Sequence, residues 1–296
     1  MNSRPITCSR AIQVAEKLPS APYVLTELQQ LLADANNGID EVSRLLRQDA
    51  GLTARVVRIA NGIVFNRGEA VGSLEGALGR IGFNEVHRLA GAAVLRQLAS
   101  MEFAFYPIST FAFCRNSLFV AFLMEEMAGY AELDPRVSYT TGLLRSVGKL
   151  LLDATARAER RSEEALPLGH DGLIAWEQQV FGLTHPDVAS AVLRAWRFPV
   201  EVFMPIRDHY LHGLAVEPHV SCQVLNLASA FAEEQGWGLP GETLYWNAAS
   251  AFQARLRISS DERTEIVERA AGQTRRFLRA LDQSDSETVS LQSAEL

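Results

Sequence analysis

The sequence has only three cysteines in 296 residues, and their positions indicate neither a disulfide framework nor a zinc site. Cys8, Cys114 and Cys222 are far apart, odd in number and without Cys-x-x-Cys spacing. Disulfide-stabilised domains and zinc knuckles need paired cysteines at suitable spacing. We therefore expect reduced thiols, most of them buried.

Long hydrophobic runs are also missing. The longest, Leu118 to Met124, is far shorter than the roughly 20 apolar residues that cross a bilayer. Met1 to Lys17 contains no continuous apolar core of the kind found in signal peptides. With 48% hydrophobic and 21% charged residues, the chain has the composition of a globular protein with a large core. We expect a cytoplasmic protein without a membrane partner.

Positive charge is in deficit, because 28 Lys and Arg residues face 35 Asp and Glu residues and the formal net charge is -7. Nucleic acids and anionic membranes attract proteins of the opposite sign, so neither is expected as the main partner. The chain also lacks the Gly-x-Ser-x-Gly turn of serine hydrolases and the Gly-x-Gly-x-x-Gly fingerprint of dinucleotide-binding folds. No cofactor is expected.

The sequence does contain helical periodicity along most of its length. Apolar residues recur at three and four positions, and alternating strand patterns are missing. We predict an all-α protein with a helical N-terminal lobe over residues 1–107 and a second helical lobe over residues 108–281. One helix is predicted from Tyr139 to Asp153 and the last from Asp261 to Leu281. Residues 282–296 are polar with few apolar anchors, so we expect a disordered tail.

The segment Gly142 to Leu150 reads Gly-Leu-Leu-Arg-Ser-Val-Gly-Lys-Leu. It resembles the Gly-Leu-Leu-His-Asp-x-Gly-Lys segment of the HD superfamily of metal-dependent phosphohydrolases. Arg145 and Ser146 stand where that superfamily places its metal-binding His-Asp pair. A guanidinium offers no lone pair to a cation. The resemblance therefore implies a site that has lost its metal centre.

Three segments of the first lobe sharpen this resemblance. In order and spacing, Leu18 to Pro22, Gln48 to Asn61 and Val71 to Gly82 are similar to the HDOD family, and the similarity extends over roughly residues 17 to 215. HDOD domains are bacterial signalling modules. The resemblance implies an all-α fold in which the N-terminal lobe packs on a degenerate HD-like lobe, without catalysis of its own.

The same resemblance locates the former metal ligands. The HD ligand positions fall on Asn116, Arg145, Ser146 and Ser229, so all four have been replaced. His185 and His209 match histidines found in HDOD and related domains. Two imidazoles alone make a weak metal site. We expect no bound metal.

A candidate site remains on the helix that carries Arg145. At 100° per residue, Gly142, Arg145 and Lys149 lie opposite the face formed by the leucines of this segment. In an HD-like lobe that face looks into the former metal pocket, together with Asn116, Ser146, His185, His209 and Ser229. Arg145 then either pairs with a carboxylate, such as Asp208 or Asp153, and plugs the pocket, or binds a small anion. We favour the plug, because buried cations are usually paired.

A second candidate region is positively charged. Arg44, Arg47, Arg55 and Arg58 lie at helical spacing on two predicted helices of the first lobe. They form either an ordinary solvated face, a DNA-reading surface or a patch for an acidic protein partner. The acidic balance of the whole chain argues against DNA. We expect this arginine patch to bind a signalling protein, whose identity the sequence does not specify.

These observations favour a non-catalytic regulatory protein of bacterial signal transduction that acts by protein–protein interaction. The alternative is a sensor that binds a small anionic ligand or nucleotide in the vestigial pocket. An active metal phosphohydrolase is opposed by Arg145 and Ser146.

Overall fold

A computed structural model describes residues 5–17, 23–33, 37–61, 70–99, 102–162, 165–167, 169, 172–211 and 217–294. Short 3₁₀-helices cover Ala128–Ala131 and Thr243–Trp246. Within the described ranges no residue lies in a strand, which confirms the all-α prediction. The α-helices are α1 Cys8–Ala15, α2 Tyr23–Ala33, α3 Ile39–Leu46, α4 Ala50–Asn61, α5 Leu74–Ile81, α6 Phe83–Leu98, α7 Thr110–Met127, α8 Pro135–Leu144, α9 Val147–Ala158, α10 Leu173–Phe181, α11 His185–Ala195, α12 Val200–Asp208, α13 Val220–Glu234, α14 Ala249–Arg255 and α15 Ser260–Ala294.

The chain divides into two compact units whose boundaries differ from the predicted lobes. One unit contains Met1–Ala21 and Leu95–Ala271, and the other contains Pro22–Val94 and Gly272–Leu296. The prediction placed the lobe boundary between residues 107 and 108 and the start of the tail at residue 282. It missed that α1 belongs with the later helices, because periodicity along the chain carries no information on contacts between distant segments.

The helices of the larger unit begin at capped positions. Ser109 accepts a hydrogen bond from the amide of Ala112 at the start of α7, and Asp134 caps α8. Thr184 caps α11, which begins at His185. Such caps satisfy the free N–H groups of a first turn and fix where a helix begins. The caps therefore set the position of His185 in the fold.

Close packing holds α7, α8, α9 and α11 together. A Cβ atom at Gly142 would lie 2.7 Å from the Val120 carbonyl oxygen, so α8 meets α7 at a point that only glycine permits. A Cβ at Gly148 would lie 2.0 Å from the carbonyl oxygen of His185. These two glycines bring α8 and α9 against the backbones of their neighbours.

The helix predicted from Tyr139 to Asp153 is interrupted. Helix α8 ends at Leu144, Arg145 is its C-cap, and α9 begins at Val147 after Ser146 with φ of -99° and ψ of 5°. The residues on either side are buried, so the apolar pattern continues through the break. This continuity explains why the sequence predicted one helix.

The C-terminal prediction also differs from the structure. Helix α15 runs from Ser260 to Ala294, so the backbone is helical through most of the tail expected to be disordered. Extending an existing helix needs no new nucleation, and a polar segment can follow it without a buried face. None of the described helices is both long and apolar enough to span a bilayer.

Candidate functional site

Two cations lie buried at the junction of α8 and α9. Arg145 is 1% exposed and Lys149 is fully buried. The Arg145 Nη1 atom donates to Oε2 of Glu242 at 2.9 Å, and the Lys149 ammonium donates to Oε1 of the same carboxylate. Glu242 is itself 1% exposed. The predicted convergence of Arg145 and Lys149 is present, and their shared partner is Glu242.

The two carboxylates proposed as partners of Arg145 are engaged elsewhere. Asp153 accepts hydrogen bonds from the amides of Ala104 and Phe105 and pairs with Arg157. Asp208 pairs with Arg207. The prediction of a carboxylate plug therefore names the wrong residues, while Glu242, which the sequence analysis missed, occupies that position.

Further polar groups complete the surroundings of the ion cluster. Arg145 Nη2 donates to the Asn116 side-chain oxygen at 2.7 Å, and Asn116 donates to the carbonyl of Trp237 at 2.7 Å. The Tyr210 hydroxyl donates to Glu242 Oε1 at 2.6 Å. The carboxylate of Glu242 thus accepts from a guanidinium, an ammonium and a hydroxyl, an arrangement that stabilises its ionised form.

A second buried carboxylate, that of Glu177, contacts His185. The Nδ1 atom of His185 lies 2.8 Å from Oε1 of Glu177, and the Nε2 atom lies 3.1 Å from the Tyr210 hydroxyl. Glu177 also accepts from Tyr106 at 2.7 Å and from the His185 amide. With Glu177 as the acceptor, Nδ1 donates this hydrogen bond. Tyr210, whose one hydroxyl proton goes to Glu242, lies between His185 and that carboxylate.

Glu177 was also missed, although the sequence carries a signal for it. Leu173, Glu177 and Phe181 are spaced by four residues, so one charge lies on the apolar face of α10. All three side chains are fully buried. A lone acid in an apolar stripe indicates a buried partner. Glu242, after Pro240 and Gly241, carries no comparable periodic signal.

The remaining predicted pocket residues lie nearby but make separate contacts. His209 donates from Nδ1 to the carbonyl of Ile206 at 2.9 Å, its ring stacks on Trp246, and Nε2 finds no hydrogen-bond partner in the described structure. Ser229 donates to the carbonyl of Leu225. The Ser146 hydroxyl is buried, also without a partner among the described residues.

Burial and neighbouring charges both shift the pKa values of the buried groups in this network. Burial raises the pKa of Glu242, but Arg145 and Lys149 outweigh this effect and hold it well below its usual value. Burial lowers the pKa of Lys149, and Glu242 compensates only in part. Burial, with Arg145, holds the pKa of His209 well below the ordinary range, and burial also lowers the pKa of His185. The network therefore favours two neutral imidazoles beside an ionised carboxylate.

The residues in the pocket do not fit the divalent cation that an HD-type site implies. A guanidinium occupies the first position of the former His-Asp pair, and the Glu242 oxygens already accept three donors. In the part of the chain that the structure describes, no three His, Cys, Asp or Glu side chains converge on a common point.

The arginine patch is partly neutralised. Arg44 is exposed on α3, whereas Arg47, at the C-cap of that helix, pairs with Glu75 of α5 at 2.5 Å. Arg58 is partly exposed on α4, and the side chain of Arg55 lies outside the described residues. Arg47 therefore already has an acidic partner within the chain.

Comparisons with known proteins place these features in a family. The HDOD domain family model matches residues 18–211. No curated protein matches the chain.

Solved structures show the same fold at low identity. An HDOD domain protein of unknown function from Geobacter sulfurreducens is 21% identical with a TM-score of 0.64, over 93% of this chain and 98% of that one. A Shewanella amazonensis SB2B protein, named provisionally as a phosphohydrolase, is 22% identical with a TM-score of 0.60, over 92% and 98%. A Marinobacter aquaeolei VT8 protein, named provisionally for signal transduction, is 19% identical with a TM-score of 0.64; the match covers 89% of this chain and 59% of that one.

Proposed function

We propose that this chain, which belongs to the HDOD domain family, is a non-catalytic regulatory protein of bacterial signal transduction that acts in the cytoplasm by binding other proteins. The observation that carries the proposal is the ion cluster of Arg145, Lys149 and Glu242. By the resemblance to the HD superfamily, Arg145 in this cluster stands where an HD-type enzyme has a metal ligand. In this buried cluster both cations are paired with the one carboxylate, so none of the three side chains is free to act as a base or nucleophile on a substrate.

Without chemistry in the pocket, a signal has to pass through association. The proposed surface is the arginine patch on α3 and α4, because it presents cations on a chain whose net charge is -7. Exposed Arg44 can pair with an acidic partner at short range, while the whole-chain charge opposes long-range attraction to a polyanion. The proposed partner is therefore an acidic signalling protein.

Charge reversal tests this surface. The double variant Arg44→Glu with Arg55→Glu should keep the circular dichroism spectrum and melting temperature of the wild type, yet lose capture of one identified protein from the native cell. Arg194→Glu with Arg275→Glu changes the net charge equally at two exposed arginines and should capture that protein as the wild type does. Equal capture by both double variants would place the interface elsewhere.

A turnover assay tests the non-catalytic part. Purified protein with added Mn²⁺ should not hydrolyse bis(p-nitrophenyl) phosphate or cyclic dinucleotides above a buffer control. Turnover that co-purifies with the folded chain and disappears in a Lys149→Met variant would contradict the proposal. The alternative function, a sensor for a small anion, requires the Glu242 carboxylate to leave the pocket.

A further inference from the structure

Three donors from different parts of the fold converge on one carboxylate. Arg145 follows α8, Lys149 lies in α9 and Tyr210 follows α12, and all three donate to Glu242. Side chains of arginine, lysine and tyrosine directed at two neighbouring oxygens form the kind of arrangement that binds a carboxylate or a phosphate group. The pocket therefore has the chemistry of an oxyanion site whose occupant is a residue of the same chain.

The occupant comes from a connecting segment and not from a helix that frames the pocket. Gly236 and Gly241 both adopt left-handed backbone conformations, with φ of 68° and 82°. Leu239, between them, is buried and anchors the segment. Because Gly241 directly precedes Glu242, rotation at this glycine can withdraw the carboxylate while Leu239 stays in place.

The segment also lies outside the part of the chain that matches the HDOD family model, which ends at residue 211. Arg145, Lys149 and Tyr210 lie inside that match. The donors thus belong to the family domain, and the carboxylate that neutralises them is supplied by the region that follows it.

An open cavity reaches one of the three donors, Tyr210. A cavity of about 710 Å³ is lined by residues of α10, α11 and α12 and reaches Tyr210. The Tyr210 hydroxyl is 2.6 Å from Glu242 Oε1, and the Tyr210 side chain is almost fully buried. Tyr210 therefore belongs both to the lining of the open cavity and to the group of donors around the carboxylate.

We propose that Arg145, Lys149 and Tyr210 form an oxyanion-binding site in which Glu242 is an intramolecular ligand, and that a small molecule bearing a phosphate group competes with Glu242 for these donors. Such competition makes the segment around Gly241 a ligand-sensitive latch. The inference goes beyond the proposed signalling role, and it holds whether or not the arginine patch binds a protein.

Inorganic phosphate is the probe. In Glu242→Ala, phosphate should raise the melting temperature relative to sodium chloride of equal ionic strength, by on the order of 4 °C at about ten times its Kd and further with the logarithm of its concentration. The wild type should need at least about 100-fold more phosphate for the same rise, because its own carboxylate is held beside the donors. Similar phosphate dependence in wild type and variant would overturn the proposal.

Two further variants make the test specific. Glu234→Ala removes a surface carboxylate that pairs with Arg263 and should show no phosphate effect. Glu242→Ala combined with Arg145→Met should lose the effect. A rise in all three variants would show general salt stabilisation and overturn the site.

A folding failure of Glu242→Ala would not end the test. Glu242→Gln keeps the size of the side chain and removes its charge, so it serves as the second variant. Phosphate must then raise the melting temperature of Glu242→Gln above its value in sodium chloride of equal ionic strength. The proposal is wrong if a folded Glu242→Ala or Glu242→Gln protein shows no response.

Discussion

Arg145 is fixed by charge, by hydrogen bonds and by an aromatic ring. It pairs with Glu242, donates to Asn116 and lies 5.9 Å from the Trp246 ring centroid. Arg145→Ala leaves a cavity, an unsatisfied Asn116 oxygen and a carboxylate with one cation fewer. We expect a loss of about 3 kcal/mol in the free energy of unfolding, measured in urea. Arg44→Ala, at an exposed position, is the control and should leave the stability unchanged; equal stability of both variants would contradict the structural role of the cluster.

Two of the buried histidines, His185 and His209, predict a pH dependence. Their pKa values are lower in the folded chain than the ordinary value of 6.5, so the unfolded chain binds more protons as the pH falls. Stability should therefore decrease from pH 7 to pH 5.5, by up to about 1.4 kcal/mol per pH unit for each histidine that stays neutral. The Glu242 contribution is lost only below its unfolded pKa of 4.5.

Unfolding curves at several pH values would measure this slope. His209→Asn should reduce it. A slope that is the same in the wild type and the variant would show that other groups titrate.

At the residue scale, the sequence predicts the two cations of the site but not the carboxylate that they share. Helical periodicity places Arg145 and Lys149 on one face, because four residues span about one turn. Glu242 is 97 positions from Arg145, and no local pattern connects residues at such a distance. The sequence could therefore predict that a buried Arg145 needs a carboxylate partner, but it could not identify Glu242 as that partner.

At the level of elements, the contact between α9 and α11 depends on Gly148. An added Cβ would lie 2.0 Å from the His185 carbonyl oxygen, so Gly148→Ala must separate the two helices. We expect a loss of about 2 kcal/mol in stability. Gly129→Ala is the matched control, because nothing lies within 4 Å of its added Cβ. Thermal unfolding should show a lower melting temperature for Gly148→Ala alone.

The end of α15 gives a second prediction for an element. Truncation after Leu281 removes residues 282–296, a mainly polar segment. We expect the melting temperature to change by less than about 2 °C, since the segment has few apolar side chains to bury. The helical signal at 222 nm should fall in proportion to the helical residues removed. A large drop in melting temperature would instead show that Val289 or Leu291 packs on the protein.

The sequence predicts the presence of these helices better than their limits. Apolar spacing and capping residues are local, so most helices could be placed to within a few residues. The break at Arg145 and Ser146 does not interrupt the apolar pattern, so the sequence could not predict it. The helical backbone beyond Leu281 was missed because polarity was taken as a sign of disorder.

For the whole molecule, charge leads to the last prediction. A net charge of -7 opposes binding to a polyanion. Fluorescence anisotropy with a labelled duplex should show no salt-sensitive binding at physiological ionic strength. Tight, sequence-selective binding that Arg44→Glu with Arg55→Glu abolishes would make the arginine patch a DNA-reading surface.

The division into units is the least predictable feature at this scale. Each unit is assembled from two separate stretches of chain, Met1–Ala21 with Leu95–Ala271 and Pro22–Val94 with Gly272–Leu296. Composition changes little along the sequence, so it gives no boundary. Only contacts between distant segments define the units, and these contacts follow from the fold.

The Arg145–Lys149–Glu242 cluster also restricts how this pocket can change through evolution. Replacing Arg145 by a metal ligand leaves Glu242 held by Lys149, while replacing Glu242 first leaves two buried cations unpaired. Either single step passes through a less stable protein, because removing one member of a buried ion cluster costs several kcal/mol. A metal centre at this position would therefore require coordinated substitutions in the family domain and in the segment after it, so single substitutions are unfavourable steps towards one.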